Sequence, residues 1–195
     1  LSQATGLESY LEDARANAET IRTTLQDQVA GGFWDRPVDP NGLGALAQPR
    51  KDFLEDADTV LALLRLATIT EEASTREAAQ RALLFFEPDY RKYSYMGAAY
   101  GRAIQAFLGP TAHVVIVGDL DDDRLVELRR TSWQVFAPHA VLETRSSSRA
   151  GAYPPGVDGA PRAYVCVGTS CHVADSPEDL LKLLASAVKV AASPR

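Results

Sequence analysis

The chain has 195 residues, of which 46% are hydrophobic and 24% charged, and a net charge of −6. That length and composition fit one domain, or one domain with an appendage, able to bury a core without covalent staples. The acidic balance speaks against a nucleic-acid partner and against docking on anionic membranes, and two cysteines exclude a disulfide-rich scaffold.

No apolar run is long enough to span a bilayer, and the opening residues lack the basic and apolar regions of a signal peptide. A cytoplasmic protein without membrane contact is expected. The first residue is Leu1 rather than Met, so a native start further upstream is expected.

Along the chain, Leu7, Leu11, Ala14, Ala18, Ile21 and Leu25 recur at three- and four-residue steps and predict a helix from about Gly6 to Val29. Gly31-Gly32 is expected to end it. Phe33-Trp34-Asp35-Arg36-Pro37 then opens a loop with Gly and Pro that reaches Pro49. A largely buried helix is predicted from about Phe53 to Ile69, with Asp56 and Asp58 in its first turn, where the helix dipole favours carboxylates. A third helix spans about Ser74 to Phe86, with Ser74 and Glu77 in a capping-box pattern and Pro88 as its stop. The fourth runs from about Tyr93 to Leu108, where Gly97, Ala98, Ala99 and Gly101 permit close helix contact. Gly109-Pro110 closes it.

The period then changes from helical to extended. His113 to Gly118 is a β-branched apolar run and predicts a strand buried on both faces. A helix from about Asp121 to Phe136 and a strand Ala140–Thr144 complete a parallel βαβ unit. Ser146 to Pro161 reads as an exposed loop, Ala163 to Gly168 as a third strand, and Ser176-Pro177 as the start of the last helix. The fold expected is therefore mixed: helical hairpins over residues 1–110, then a small α/β segment over 111–195.

Several clusters carry candidate chemistry. Asp35, Glu55 and Asp56, with Asp58 nearby, include possible partners for a general acid and base, since sugar chemistry needs two carboxyls with separated pKa values. Trp34, Phe33 and Tyr93 offer faces on which a sugar ring stacks. Against this stands the ordinary reading of capping acids and core aromatics. Asp119, with Asp121, Asp122 and Asp123, lies at the carboxyl end of a predicted parallel strand, where α/β sheets bind ligands. The plainer role there is helix capping. Cys166 and Cys171 admit three readings: two reduced structural cysteines, a disulfide or redox pair, or, with His172, an incomplete metal site. His113, His139 and His172, taken with Ser146, Ser147 and Ser148, form no hydrolytic motif. No cofactor and no metal site are expected.

The order of these motifs resembles the C-terminal region of the thioredoxin-domain-containing family that includes spermatogenesis-associated protein 20. The residues that carry the likeness are Gly31-Gly32-Phe33-Trp34-Asp35, Glu55-Asp56-Ala57 leading into Leu61-Ala62-Leu63-Leu64-Arg65-Leu66-Ala67, Val114 to Gly118, Ala163 to Cys166 with Cys171, and Asp175 to Leu180. The resemblance implies a thioredoxin-like domain upstream and an α/α toroid similar to sugar epimerases and glycosidases, of which residues 1–110 would be the last hairpins. It also implies a remainder of the same protein as partner, and self-association through exposed helical faces. Some members carry Pro-Ser-Gly-Asn where this chain has Glu55-Asp56-Ala57-Asp58.

Overall fold

In a computed structural model, residues 1–138 and 140–192 are described, with side chains up to residue 189. His139 lies outside the described residues. The chain divides into two units: Glu12–Leu108 forms one, and Leu1–Leu11 joins the chain from Gly109 onward in the other.

The N-terminal helix is shorter and more broken than its periodicity predicts. A first turn, α1 (Ser2–Thr5), is closed by Gly6 at φ 74°. A side chain is disfavoured at that position by φ, and a Cβ there would also press on the Arg129 guanidinium at 2.7 Å and on Thr144 at 3.2 Å. The helix α2 (Ser9–Thr20) widens into a π turn over Ile21–Leu25 and stops at Gln26. Gly31-Gly32 therefore does not cap it. The chain has already turned back through Asp27, and Gln26 pairs with Phe33 in an antiparallel bridge.

Three further helices complete this unit: α3 (Phe53–Thr70), α4 (Ala73–Phe86) and α5 (Gly97–Leu108). Asp52 caps α3, accepting the N–H groups of Leu54 and Glu55. The expected box of Ser74 and Glu77 does not form; α4 begins at Ala73, and Thr75 Oγ1 donates instead to the Glu72 carboxylate at 3.2 Å. Tyr90–Met96 is a run of 3₁₀ turns broken at Ser94 (φ 50°), so the fourth helix starts four residues later than expected. Its small residues are not its contact face. Ala98 and Gly101 are exposed, while Tyr100 and Ala103 are buried and the Tyr100 hydroxyl donates to the Leu83 carbonyl at 2.6 Å. Phe53 lies at the centre of the core, stacked on Tyr93 at 3.8 Å between centroids and edge-on to Phe86 at 5.2 Å.

The second unit is a four-stranded mixed sheet, β1 (Ala112–Gly118), β2 (Ala140–Ser146), β3 (Arg162–Val167) and β4 (Ser170–Ala174), in the order β2-β1-β3-β4. The helix α6 (Asp123–Ser132) joins the parallel pair β1 and β2, as the βαβ reading expects, while β3 runs antiparallel to β1. With α7 (Pro177–Ala192), α6 covers one face of the sheet. Leu125, Leu128, Leu180 and Leu184 pack there on Val114, Ile116, Leu142 and Val165. The other face is covered by the loop after β2, whose Ala150 and Tyr153 pack on Val115, Val117, Tyr164 and Cys166. This double cover explains why β1 reads as an unbroken apolar run. The strand β4 was not expected from the sequence, because its residues Ser170 to Val173 are exposed on an edge and carry no alternation. No described helix is long and apolar enough to cross a membrane.

Candidate functional site

The three acids singled out from the sequence end in different environments. Asp56 is only 3% exposed. Its carboxylate accepts the Phe33 N–H, with both oxygens at 3.1 Å. Burial pushes its pKa up to about 7, against the pull of the Phe33 hydrogen bond and the Lys51 charge. Asp56 is thus no dipole-stabilised surface acid. It anchors the turn that brings Gly32 and Phe33 onto α3. Gly32 (φ 75°) is required there, since a Cβ would meet Asp56 Oδ2 at 2.9 Å.

Asp35 holds the loop. Oδ1 accepts the Arg50 N–H at 3.0 Å, Oδ2 pairs with Arg36 at 2.9 Å, and its own N–H donates to the Arg50 carbonyl. Asp58 is exposed on α3. Glu55 is exposed in the first turn of α3. Asp35 and Glu55 do share a cleft of about 430 Å³, walled also by Arg50, Lys51, Phe53 and Tyr93. Asp56 does not line it.

Lys51 was not singled out from the sequence, yet it organises this corner. Its side chain is 5% exposed. The ammonium donates to Asp27 Oδ2 at 2.8 Å and to the Gly31 carbonyl at 2.6 Å. It lies 4.3 Å from the Trp34 ring centroid and 3.9 Å from that of Phe85. The Lys51 bond and the N–H groups of Ala30 and Val29 pull Asp27 down to about 2. The aromatic faces proposed for a sugar are largely committed: Trp34 flanks Lys51, Phe33 is buried, and Tyr93 lies flat on Phe53.

In the sheet unit Asp119 makes a local turn, accepting the Asp121 N–H at 3.1 Å, and Asp122 caps α6 by accepting the Arg124 N–H at 2.8 Å. Among the described residues no three His, Cys, Asp or Glu side chains come together to hold a metal ion. Cys166 and Cys171 form a disulfide between β3 and β4, so neither sulfur is a thiolate ligand for a metal with His172.

On the same face of the sheet lies a polar cluster that the sequence reading passed over. His113 Nε2 is 2.9 Å from Glu143 Oε2, and Arg145 reaches Glu143 through two hydrogen bonds, at 2.6 and 2.9 Å. The His113 and Glu143 side chains are 12% and 10% exposed. Burial raises the Glu143 pKa, but the His113 and Arg145 hydrogen bonds outweigh it and leave the carboxyl below its ordinary range. Tyr153 closes the cluster, its ring 5.0 Å from the Arg145 guanidinium carbon. The pattern that signals it is the pair Glu143 and Arg145 at alternate positions of a strand, a polar stripe on one face.

Comparison with protein-family models, with curated proteins and with solved structures finds no match.

Proposed function

We propose that this chain is a non-catalytic C-terminal module of a larger, cytoplasmic, thioredoxin-domain-containing protein, and that its helical unit is the end of an α/α toroid resembling sugar epimerases and glycosidases. The observation that carries this reading is the state of the carboxylates. Asp35 and Asp56 both bind backbone N–H groups and hold the loop to α3, which leaves Glu55 as the one unengaged acid among the three candidates. A glycosidic mechanism needs two. The rest of the same protein is the expected partner. An apolar groove between α2 and α3, lined by Ala14, Ala18, Ile21, Ala62, Leu63 and Leu66, supports either that contact or self-association. The net charge of −6 keeps nucleic acid out of the proposal. The test is turnover of nitrophenyl glycosides and epimerisation of free hexoses by this chain alone. No activity is expected, and saturable turnover would overturn the reading.

A second reading, a portion of a carbohydrate-processing site, is favoured by one fact: Asp35 and Glu55 face one cleft. Under it, Asp35→Asn in the full-length protein would lower turnover about a hundredfold or more. Unchanged activity would remove Asp35 from any chemistry and leave it a loop tie.

A further inference from the structure

The Cys166–Cys171 disulfide is poorly placed as a staple. It joins residues five apart in a hairpin already closed by β3–β4 pairing, so the loop it constrains is short. It is better placed for exchange. Cys171 is exposed on the edge strand, while Cys166 is only 7% exposed. Cys166 also has a titratable neighbour. The register of β1 and β3 sets His113 directly opposite Cys166, on the same face of the sheet. Opposed residues of an antiparallel pair bring their side chains together. The His113 ring is held in turn by Glu143, and Glu143 by Arg145. An exposed cysteine open to attack, a buried cysteine to leave, and a histidine paired in register with the leaving residue make up the parts of a thiol–disulfide exchange site.

We infer that Cys166 and Cys171 form a redox-active pair that accepts two electrons from a dithiol, with His113 stabilising the Cys166 thiolate. A thiolate of the dithiol attacks Cys171 Sγ. A new disulfide forms to Cys171, the Cys166–Cys171 bond breaks, and Cys166 leaves with the electron pair and is protonated from the His113 imidazolium. The second thiolate of the dithiol then attacks its own sulfur in the mixed disulfide. Cys171 is released as a thiolate that takes a proton from water, and the dithiol departs oxidised to a disulfide. This site stands apart from the toroid reading and does not depend on it. In the cytoplasm proposed above, disulfides are characteristically transient and redox-linked.

The test uses the whole chain and dithiothreitol. The expected result is reduction in the folded state, at a rate independent of low urea and with an unchanged circular dichroism spectrum. Rapid acid quench, alkylation and mass mapping are expected to find the mixed disulfide on Cys171. Reduction that accelerates in step with global unfolding, or first attack on Cys166, would overturn the site. Glutathione, a monothiol, is expected to stall as an adduct on Cys171; complete reduction by it at the same rate would overturn the dithiol assignment. The groups around His113 are Glu143 on β2, which Arg145 binds in turn, Cys166 opposite it on β3, and Tyr153 from the covering loop. The rate, corrected for the thiolate fraction of dithiothreitol, is compared between the wild type and His113→Gln. In His113→Gln it is expected to be about a hundredfold lower, with an unchanged circular dichroism spectrum. A rate unchanged in His113→Gln would remove His113 from the step.

Discussion

The helical unit and the sheet unit each bury a cation, a carboxylate and aromatic rings, and they use them differently. In the helical unit Lys51, Asp27 and Asp56 bind backbone groups: the Gly31 carbonyl and the N–H groups of Val29, Ala30 and Phe33. Those bonds set the path of a turn that has no regular structure of its own. In the sheet unit the backbone is already paired, and His113 and Arg145 bind Glu143 side chain to side chain. A polar group that substitutes for secondary structure has no freedom to react. One that sits on a finished sheet is free to change protonation without unmaking the fold. The same residue types are therefore scaffolding in one unit and candidate chemistry in the other.

The sharpest way to break that comparison is Lys51→Met. The variant keeps an unbranched apolar stem between Trp34 and Phe85 but leaves the Asp27 carboxylate and the Gly31 carbonyl without their donor. Removing one partner of a largely buried pair is expected to cost about 3–5 kcal/mol. Urea unfolding followed by Trp34 emission in a Trp133→Phe background measures it. A loss under about 1 kcal/mol would mean that the turn holds itself and that Lys51 is not its organiser.

Asp56 gives the next largest effect, as a dependence on pH. Its folded pKa, about 7, lies above the ordinary 3.8, so between these values the folded chain binds a proton that the unfolded chain releases. Its contribution is fully present below pH 3.8 and is lost as pH rises through 7. Between pH 5 and pH 8 this amounts to about 2–3 kcal/mol less stability at the higher pH. Asp56→Asn keeps an acceptor for the Phe33 N–H and removes the charge, so its stability is expected to lose this slope. Asp27 runs the other way: its pKa, lowered to about 2, gives stability that is present above 3.8 and lost as pH falls through 2. The two windows do not overlap, which lets one titration of urea midpoints separate them. An Asp56→Asn variant with the wild-type slope would assign the dependence to some other group.

What was legible in the sequence follows from how local each cause is. The strand β1 showed itself because helices cover one face and the loop with Tyr153 the other, leaving an unbroken apolar run. The buried stripe of α3 and the Pro177 start of α7 are likewise written within a few residues. The role of Asp56 is hidden because the N–H it accepts belongs to Phe33, 23 residues upstream. In the first turn of a helix a buried acid and a surface acid look alike. Lys51 was invisible for the same reason, since its partners lie on two other segments, the turn that carries Asp27, Gly31 and Trp34 and the helix that carries Phe85. The spacing of Cys166 and Cys171 left their pairing open because pairing depends on β4, an exposed edge strand. Its register is set by a two-residue turn at Gly168-Thr169.

That turn supplies the smallest prediction and carries the comparison to the sheet. Gly168 is the first central residue of the hairpin and takes φ 60°, as a type II′ turn demands of it. A Cβ there would meet nothing within 4 Å, so Gly168→Ala changes backbone strain alone. The expected cost is about 1–2 kcal/mol. It should appear as faster amide exchange in β3 and β4. The disulfide tests whether that cost is structural or functional in effect. If the bond serves mainly to hold the hairpin, it should mask the strain, and reduced and oxidised Gly168→Ala should differ in stability more than the two wild-type forms do. If the hairpin holds itself and the bond is there to exchange, the strain should act equally on both forms and shift the redox equilibrium little. Equal losses would show that β4 is built by pairing, as the helical turn is built by Lys51 and Asp56, with its sulfurs left free for chemistry.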